Sequence, residues 1–135
     1  MAVVTCTEHF SETELSCRCG NCEFPGMDEE FMDLIEAIRT DPGWKRPMII
    51  SSAYRCPEHN NRVSSTGYDG PHTSGKAIDI KVSGKDAWDL LGVAASYEFT
   101  GVGVAQKGNH QFRFIHLDLL SDEETKGPRP WIWSY

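Results

Sequence analysis

The period of the apolar positions changes several times along this chain, and each change marks an element. From about Met27 to Thr40, Phe31, Leu34, Ile35 and Ile38 recur at helical spacing on one face. Asp28, Glu29 and Glu30 crowd the first turn and Arg39 the last, as the helix dipole favours, and Asp41-Pro42-Gly43 ends the run. That acidic run reads as a solvated helix start rather than a metal site. A shorter helix is predicted after Ser11. Ser11 and Glu14 have capping-box spacing, and Phe10 and Leu15 can form a hydrophobic staple. Met48-Ile49-Ile50-Ser51 reads as a buried strand. Pro57 suits a first helical position, giving one or two turns over 57–63, and SSTGYDGP over 64–71 has the composition of a loop.

Period two takes over from Ala77 to Val82. Ile78, Ile80 and Val82 point one way, and Ala77, Asp79 and Lys81 the other, so Asp79 is held on a strand away from the aliphatic residues. Ser83 can cap a third helix with an apolar stripe of Ala87, Leu90, Leu91 and Ala94. Gly101–Val104 and Phe112–Leu119 read as two strands joined by a turn through Lys107-Gly108-Asn109. The tail PRPWIWSY is extended, with Trp131, Trp133 and Tyr135 on one side. Helices early and in the middle, strands between them and a late hairpin predict an α+β fold: a small, mainly antiparallel sheet flanked by helices.

Length and composition narrow the picture. At 135 residues, without repeat or linker, the chain is expected to form a single domain over 1–135. A net charge of −7 argues against nucleic acid as a partner, because phosphate binding needs clustered Lys and Arg. No run of about 18 apolar residues exists, so no membrane span is expected. The opening MAVVTCTEHF lacks the basic start and apolar segment of a secretory signal, so synthesis in a cytosol is expected. The five cysteines form an odd set, which argues against a disulfide framework. Cys17, Cys19 and Cys22 are close enough to share a structural metal, with Cys6 or His9 as fourth ligand; the alternative is a cluster of reduced thiols.

Chemistry concentrates in two stretches. In the first, His72 and Asp79 are separated by a segment in which Thr73-Ser74-Gly75 lets the backbone turn back, so both side chains can face one point. In the second, His116 shares a strand face with Phe114 and Asp118. His116 alone, on a strand beside large apolar residues, would read as an ordinary core histidine; the case rests on its combination with His72. Together with Asp79 they form the N/O donor set of a hydrolytic zinc site, which takes three protein ligands and leaves a fourth position for water.

GPHTSGKAIDI resembles the S-x-H-x-x-G-x-A-x-D signature of the zinc D-alanyl-D-alanine carboxypeptidase family. That family includes vancomycin-resistance dipeptidases and phage L-alanyl-D-glutamate endolysins, and shares its metal-site fold with the hedgehog signalling domain. The upstream SSAYR is similar to the family's strand ending in a functional arginine, FIHLDL to the segment supplying its last histidine, and HFSETELSCRCGNC to the start of small members. The resemblance implies His72, Asp79 and His116 as zinc ligands and Arg55 as the cation that steadies a substrate carbonyl or carboxylate. It implies a zinc-dependent peptidase of peptidoglycan stem peptides, either a D-Ala-D-Ala carboxypeptidase or an L-Ala-D-Glu endopeptidase. Action on the cell wall after phage-type delivery or release follows by analogy, with phage particle components as candidate partners. The rival reading is a non-catalytic zinc-containing module that binds wall or serves in a virion or tail. There WIWSY and the cysteines would serve assembly. Two positions depart from the family pattern. Gly70 stands where the signature has serine, and Arg113 stands where many relatives carry an acid. Asp118 is therefore the first candidate general base, or else the partner that orients a histidine, and His110 is the second candidate.

Overall fold

The computed structural model describes residues 2–135. A two-residue strand β1 (Val3–Val4) pairs antiparallel with β2 (Met27–Asp28), and between them lies helix α1 (Glu12–Leu15). Both halves of the predicted capping box form: Glu14 N–H donates to Ser11 Oγ at 3.2 Å, and Ser11 N–H donates to Glu14 Oε1 at 3.0 Å. Helix α2 (Glu29–Thr40) starts two residues later than the periodicity suggests, because Asp28 is spent as its cap, accepting from Phe31 N–H at 3.0 Å. Its buried face carries Phe31, Met32, Ile35 and Ile38, with Leu34 only half-buried.

The N-terminal segment is fastened to α2 through Glu36. Thr7 Oγ1–H and His9 N–H donate to its Oε2 at 2.6 and 2.8 Å, and His9 Nδ1 lies 2.6 Å from Oε1. Burial pushes the Glu36 carboxyl up, but these bonds outweigh it and hold it below the ordinary glutamate range. The anchor is therefore fully present above that range and weakens as pH falls through the lowered value.

The main sheet is built from β3 (Ile50–Ser52), β4 (Ala77–Lys81), β5 (Gly101–Ala105), β6 (Phe114–Asp118) and β7 (Trp131–Ser134) in the order β3-β4-β6-β5-β7. Every pairing is antiparallel except β5 with β7. Helices α3 (Pro57–Val63) and α4 (Gly84–Ala94) and a 3-10 turn over Pro71–Ser74 complete the scaffold. This is the α+β arrangement expected, a mainly antiparallel sheet flanked by helices. Two strand boundaries move. The strand expected from Met48 begins at Ile50. Since Ile50 faces the core, its neighbour Ile49 points outward and is 62% exposed. The strand expected from Phe112 begins at Phe114, because Asn109 caps a 3-10 turn over His110–Phe112 by accepting from Gln111 N–H at 3.0 Å.

One face of β4 and β6 fixes the site by elimination. Ile78, Ile80, Ile115 and Leu117 are fully buried in a cluster shared with Phe10, Leu15, Phe31, Ile35 and Leu90. Each such side chain contributes about 1.5–3 kcal/mol by leaving water. A one-residue slip of register would turn all four outward, so the register is strongly specified. The residues between them must then face the other side of the sheet. Among the described residues, no helix is long and apolar enough to cross a membrane.

Candidate metal centre

The register pairs Asp79 directly with His116 across β4 and β6, and His116 with Gly103 across β6 and β5. Both side chains project onto the face opposite the core. His72 arrives from the 3-10 turn, whose last residue is followed by Gly75 at φ +76°. A Cβ at Gly75 would also lie 3.2 Å from the Gly26 carbonyl. The turn thus needs glycine both for its left-handed backbone and for its close approach to β2. It returns the chain so that His72 Nε2 lies 3.2 Å from Asp79 Oδ1, and His116 Nδ1 lies 2.9 Å from the same oxygen. Donors at about 2.0–2.1 Å from a tetrahedral zinc are about 3.3 Å apart, so this spacing suits one ion. All three residues are buried, at 5%, 5% and 2% exposure for His72, Asp79 and His116.

Each donor has a partner on its far side. His72 Nδ1 lies 2.6 Å from the Ala53 carbonyl, which can only accept, so Nδ1 carries the proton and Nε2 presents a lone pair. His116 Nε2 lies 2.8 Å from Asp118 Oδ2, which by the same logic directs the Nδ1 lone pair towards Asp79 and His72. Asp79 Oδ2 accepts from Arg55 Nη2 at 3.4 Å. Burial pulls the His72 pKa down, favouring the neutral ring a metal requires. Burial pulls His116 the same way, but its bonds to Asp118 and Asp79 outweigh it and hold the pKa above the ordinary range. Burial would raise Asp79, yet the two histidines hold its carboxyl well below the usual range. Two imidazole nitrogens and an ionised carboxylate oxygen converging in this way fit a divalent ion of the zinc class.

The three side chains sit in the floor of a cleft of about 1010 Å³. Arg55 also lines it, held by Ser52 Oγ at 3.0 Å from Nε and Asn60 Oδ1 at 3.0 Å from Nη1. Trp131, Trp133 and Tyr135 line one wall, as the alternation of the tail predicts. The Trp133 ring lies 5.1 Å from the His116 ring, and the Tyr135 ring lies 5.0 Å from that of Phe114.

The two candidate bases are placed differently from the ligands. Asp118 is fully buried and does not line the cleft. Its Oδ1 accepts from Arg129 Nε at 3.2 Å and Leu120 N–H at 3.3 Å, and its Oδ2 accepts from Arg129 Nη2 at 3.0 Å besides bonding His116. With both oxygens engaged, Asp118 has the geometry of the histidine's orienting partner. The structure does not bring His110 to the site. It is exposed on its 3-10 turn, 3.2 Å from Ser83 Oγ, outside the cleft. The carboxylates that line the cleft beside Asp79 are Asp69 and Glu124, neither singled out from the sequence; Glu124 is tied to Lys76 at 3.1 Å.

Both departures from the family signature find local explanations. A Cβ at Gly70 would overlap Thr66 Oγ1, so a threonine hydroxyl from the preceding loop occupies the place of the missing serine. That hydroxyl bonds Asn60 Nδ2 at 2.8 Å, and Asn60 in turn holds Arg55. Arg113 closes the β5–β6 turn, donating to the Gly108 carbonyl at 3.1 and 2.9 Å. The expected fourth ligands of the cysteine cluster are corrected as well. Cys6 is exposed and outside the cluster, and His9 is committed to Glu36; the sulfur that joins Cys17, Cys19 and Cys22 belongs to Cys56.

Two glycines of β5 read in the sequence only as strand residues. A Cβ at Gly101 would overlap the Asp118 carboxylate, and one at Gly103 would lie 2.7 Å from Trp133 Nε1. Their absent side chains make the room in which Asp118, Arg129 and Trp133 meet. Gly101→Ala is therefore expected to cost about 1–3 kcal/mol, the range for overpacking a filled site, and to weaken metal binding in the cleft. Thermal unfolding together with a zinc titration checks both; an unchanged protein in both assays contradicts the steric argument.

A family model described as Peptidase M15 matches residues 8–118 of this chain. No curated protein matches the chain significantly.

Proposed function

The chain belongs to the M15 peptidase family, and from that premise we propose that it hydrolyses peptidoglycan stem peptides as a zinc-dependent carboxypeptidase or endopeptidase. The observation that carries the reading is the convergence of His72 Nε2, Asp79 Oδ1 and His116 Nδ1 in the floor of an open cleft. These three residues would hold a zinc ion, which when bound would supply a Lewis acid for the scissile carbonyl and lower the pKa of water towards about 7.

The chain's own groups supply the rest. Asp118 and the Ala53 carbonyl hold the two histidines in the tautomers that direct lone pairs into the site. Arg55, with its guanidinium pre-set by Ser52 and Asn60, presents a fixed positive charge beside Asp79, suited to a substrate carboxylate or a developing oxyanion. Stem peptides carry free carboxylates, which matches that cation. Trp131, Trp133 and Tyr135 give the peptide an aromatic wall, and the cleft volume suits a ligand of a few residues. Since both oxygens of Asp118 are engaged, the other carboxylates lining the cleft, Asp69 and Glu124, are the candidates we propose for taking a proton from water and passing it to the leaving amine.

Incubation with purified wall peptides tests the reading. Mass spectrometry is expected to find free D-alanine if the enzyme is a carboxypeptidase, or a new internal amino terminus if it is an endopeptidase. Asp69→Asn and Glu124→Gln then separate the proton acceptors: the true one loses kcat while its zinc content stays intact. Tight zinc binding with no cleavage of any stem peptide would sink the peptidase reading. It would leave the non-catalytic wall-binding or virion module.

A further inference from the structure

The cleft leaves one cluster of metal-ligating groups unused. Cys17, Cys19, Cys22 and Cys56 each bring a sulfur atom to within 4.8 Å of the others. Cys17 Sγ lies 3.8 Å from Cys56 Sγ, and Cys56 Sγ lies 3.9 Å from Cys19 Sγ. We infer that these four thiolates form a second, structural zinc site that fastens the loop after α1 to the start of α3.

The geometry is that of a tetrahedron. Zinc–sulfur bonds of about 2.3 Å place the sulfurs about 3.8 Å apart, which matches the 3.8 and 3.9 Å of these two pairs. A disulfide would require about 2.05 Å, and it would draw the sulfurs together in twos instead of around one centre. The backbone supports the same reading. Gly20, at φ +75°, turns the chain between Cys19 and Cys22 so that both sulfurs face inward. Cys56 N–H donates to Cys17 Sγ at 3.4 Å, a bond that suits a thiolate acceptor better than a neutral thiol. A soft divalent ion suits such a set, because thiolate sulfur is its preferred donor.

The position of the cluster ties it to the cleft. Cys56 follows Arg55, whose N–H donates to the His72 carbonyl at 3.1 Å, and Tyr54 N–H donates to the Leu15 carbonyl at 3.1 Å. The segment from Ala53 to Cys56 therefore carries the carbonyl that orients His72, the cleft's arginine and one zinc ligand in succession. A metal at Cys56 closes a loop back to Cys17, 39 residues away, and so removes conformational freedom from the unfolded chain as a covalent bridge would.

The test uses the full-length chain purified under reducing conditions. Zinc analysis is expected to find a second equivalent of metal, retained in His116→Ala, which separates this site from the cleft. Replacing the metal by cobalt(II) is expected to give the intense visible bands and thiolate-to-cobalt charge transfer of a tetrahedral tetrathiolate, again unaffected by His116→Ala. A thiol reagent is expected to modify Cys6 quickly and the other four cysteines only as zinc is released. Folded protein that lacks the charge-transfer bands, exposes all five thiols without releasing metal, or contains disulfides by mass overturns the assignment.

Discussion

Replacing His116 by alanine is expected to empty the cleft of metal and to lower kcat/KM on a cleaved stem peptide by about 10³-fold or more, the scale at which an electrostatic stabiliser is lost outright. His116 Nδ1 lies 2.9 Å from Asp79 Oδ1 in the proposed ion site, and its Nε2 links that site to the Asp118–Arg129 pair. Alanine removes a donor and leaves a gap beneath the Trp133 ring, which lies 5.1 Å away. Asp118→Asn is the graded comparison. It keeps the shape and a bond to Nε2, but removes the charge, so a loss of about 10–100-fold in metal affinity is expected, as for other groups that orient a ligand. Metal content and kcat/KM are measured on both. If His116→Ala keeps more than a tenth of the parent activity, the ion site does not perform the chemistry.

Much of this site is legible in the sequence because its chemistry is local. The alternation Ile78-Asp79-Ile80 puts a carboxylate opposite the aliphatic face, and the same logic in Phe114–Asp118 turns His116 out of the core. His72 and Arg55 follow from the family resemblance, and the structure brings both to the cleft. What stays hidden depends on contacts distant in sequence. Cys56 lies 39 residues from Cys17, so no spacing rule joins it to the early cysteines. Thr66 substitutes for a serine at position 70 only because the intervening loop folds back on itself. Asp118 stays open between general base and orienting partner because its counter-charge, Arg129, lies 11 residues on in the extended tail, where no spacing rule joins the two. The glycines of β5 carry no side-chain signal at all, although Gly101 and Gly103 decide how closely that tail can approach.

Arg129 carries the second large expectation, and it lies beyond residue 118, where the family match ends. Its side chain is 8% exposed and meets an Asp118 carboxylate that is fully buried. Burial pushes that carboxyl up, and His116 with Arg129 more than offsets this, so it stays ionised. Arg129→Met is expected to cost about 3–5 kcal/mol in chemical denaturation, because it strands a buried charge. The guanidinium also sits 5.1 Å over the Trp133 ring, so the aromatic wall is expected to loosen with it and quench differently in fluorescence. The pair should behave unequally in a double replacement. Arg129→Met combined with Asp118→Asn removes the stranded charge, so much of the lost stability is expected to return. Metal affinity is not expected to return, because a neutral amide at position 118 cannot restore the charge that steadied His116. Recovery of stability without recovery of metal binding separates the two tasks of Asp118, neutralising Arg129 and orienting a ligand. If Arg129→Met unfolds within about 1 kcal/mol of the parent, the pair is not desolvated as its burial implies.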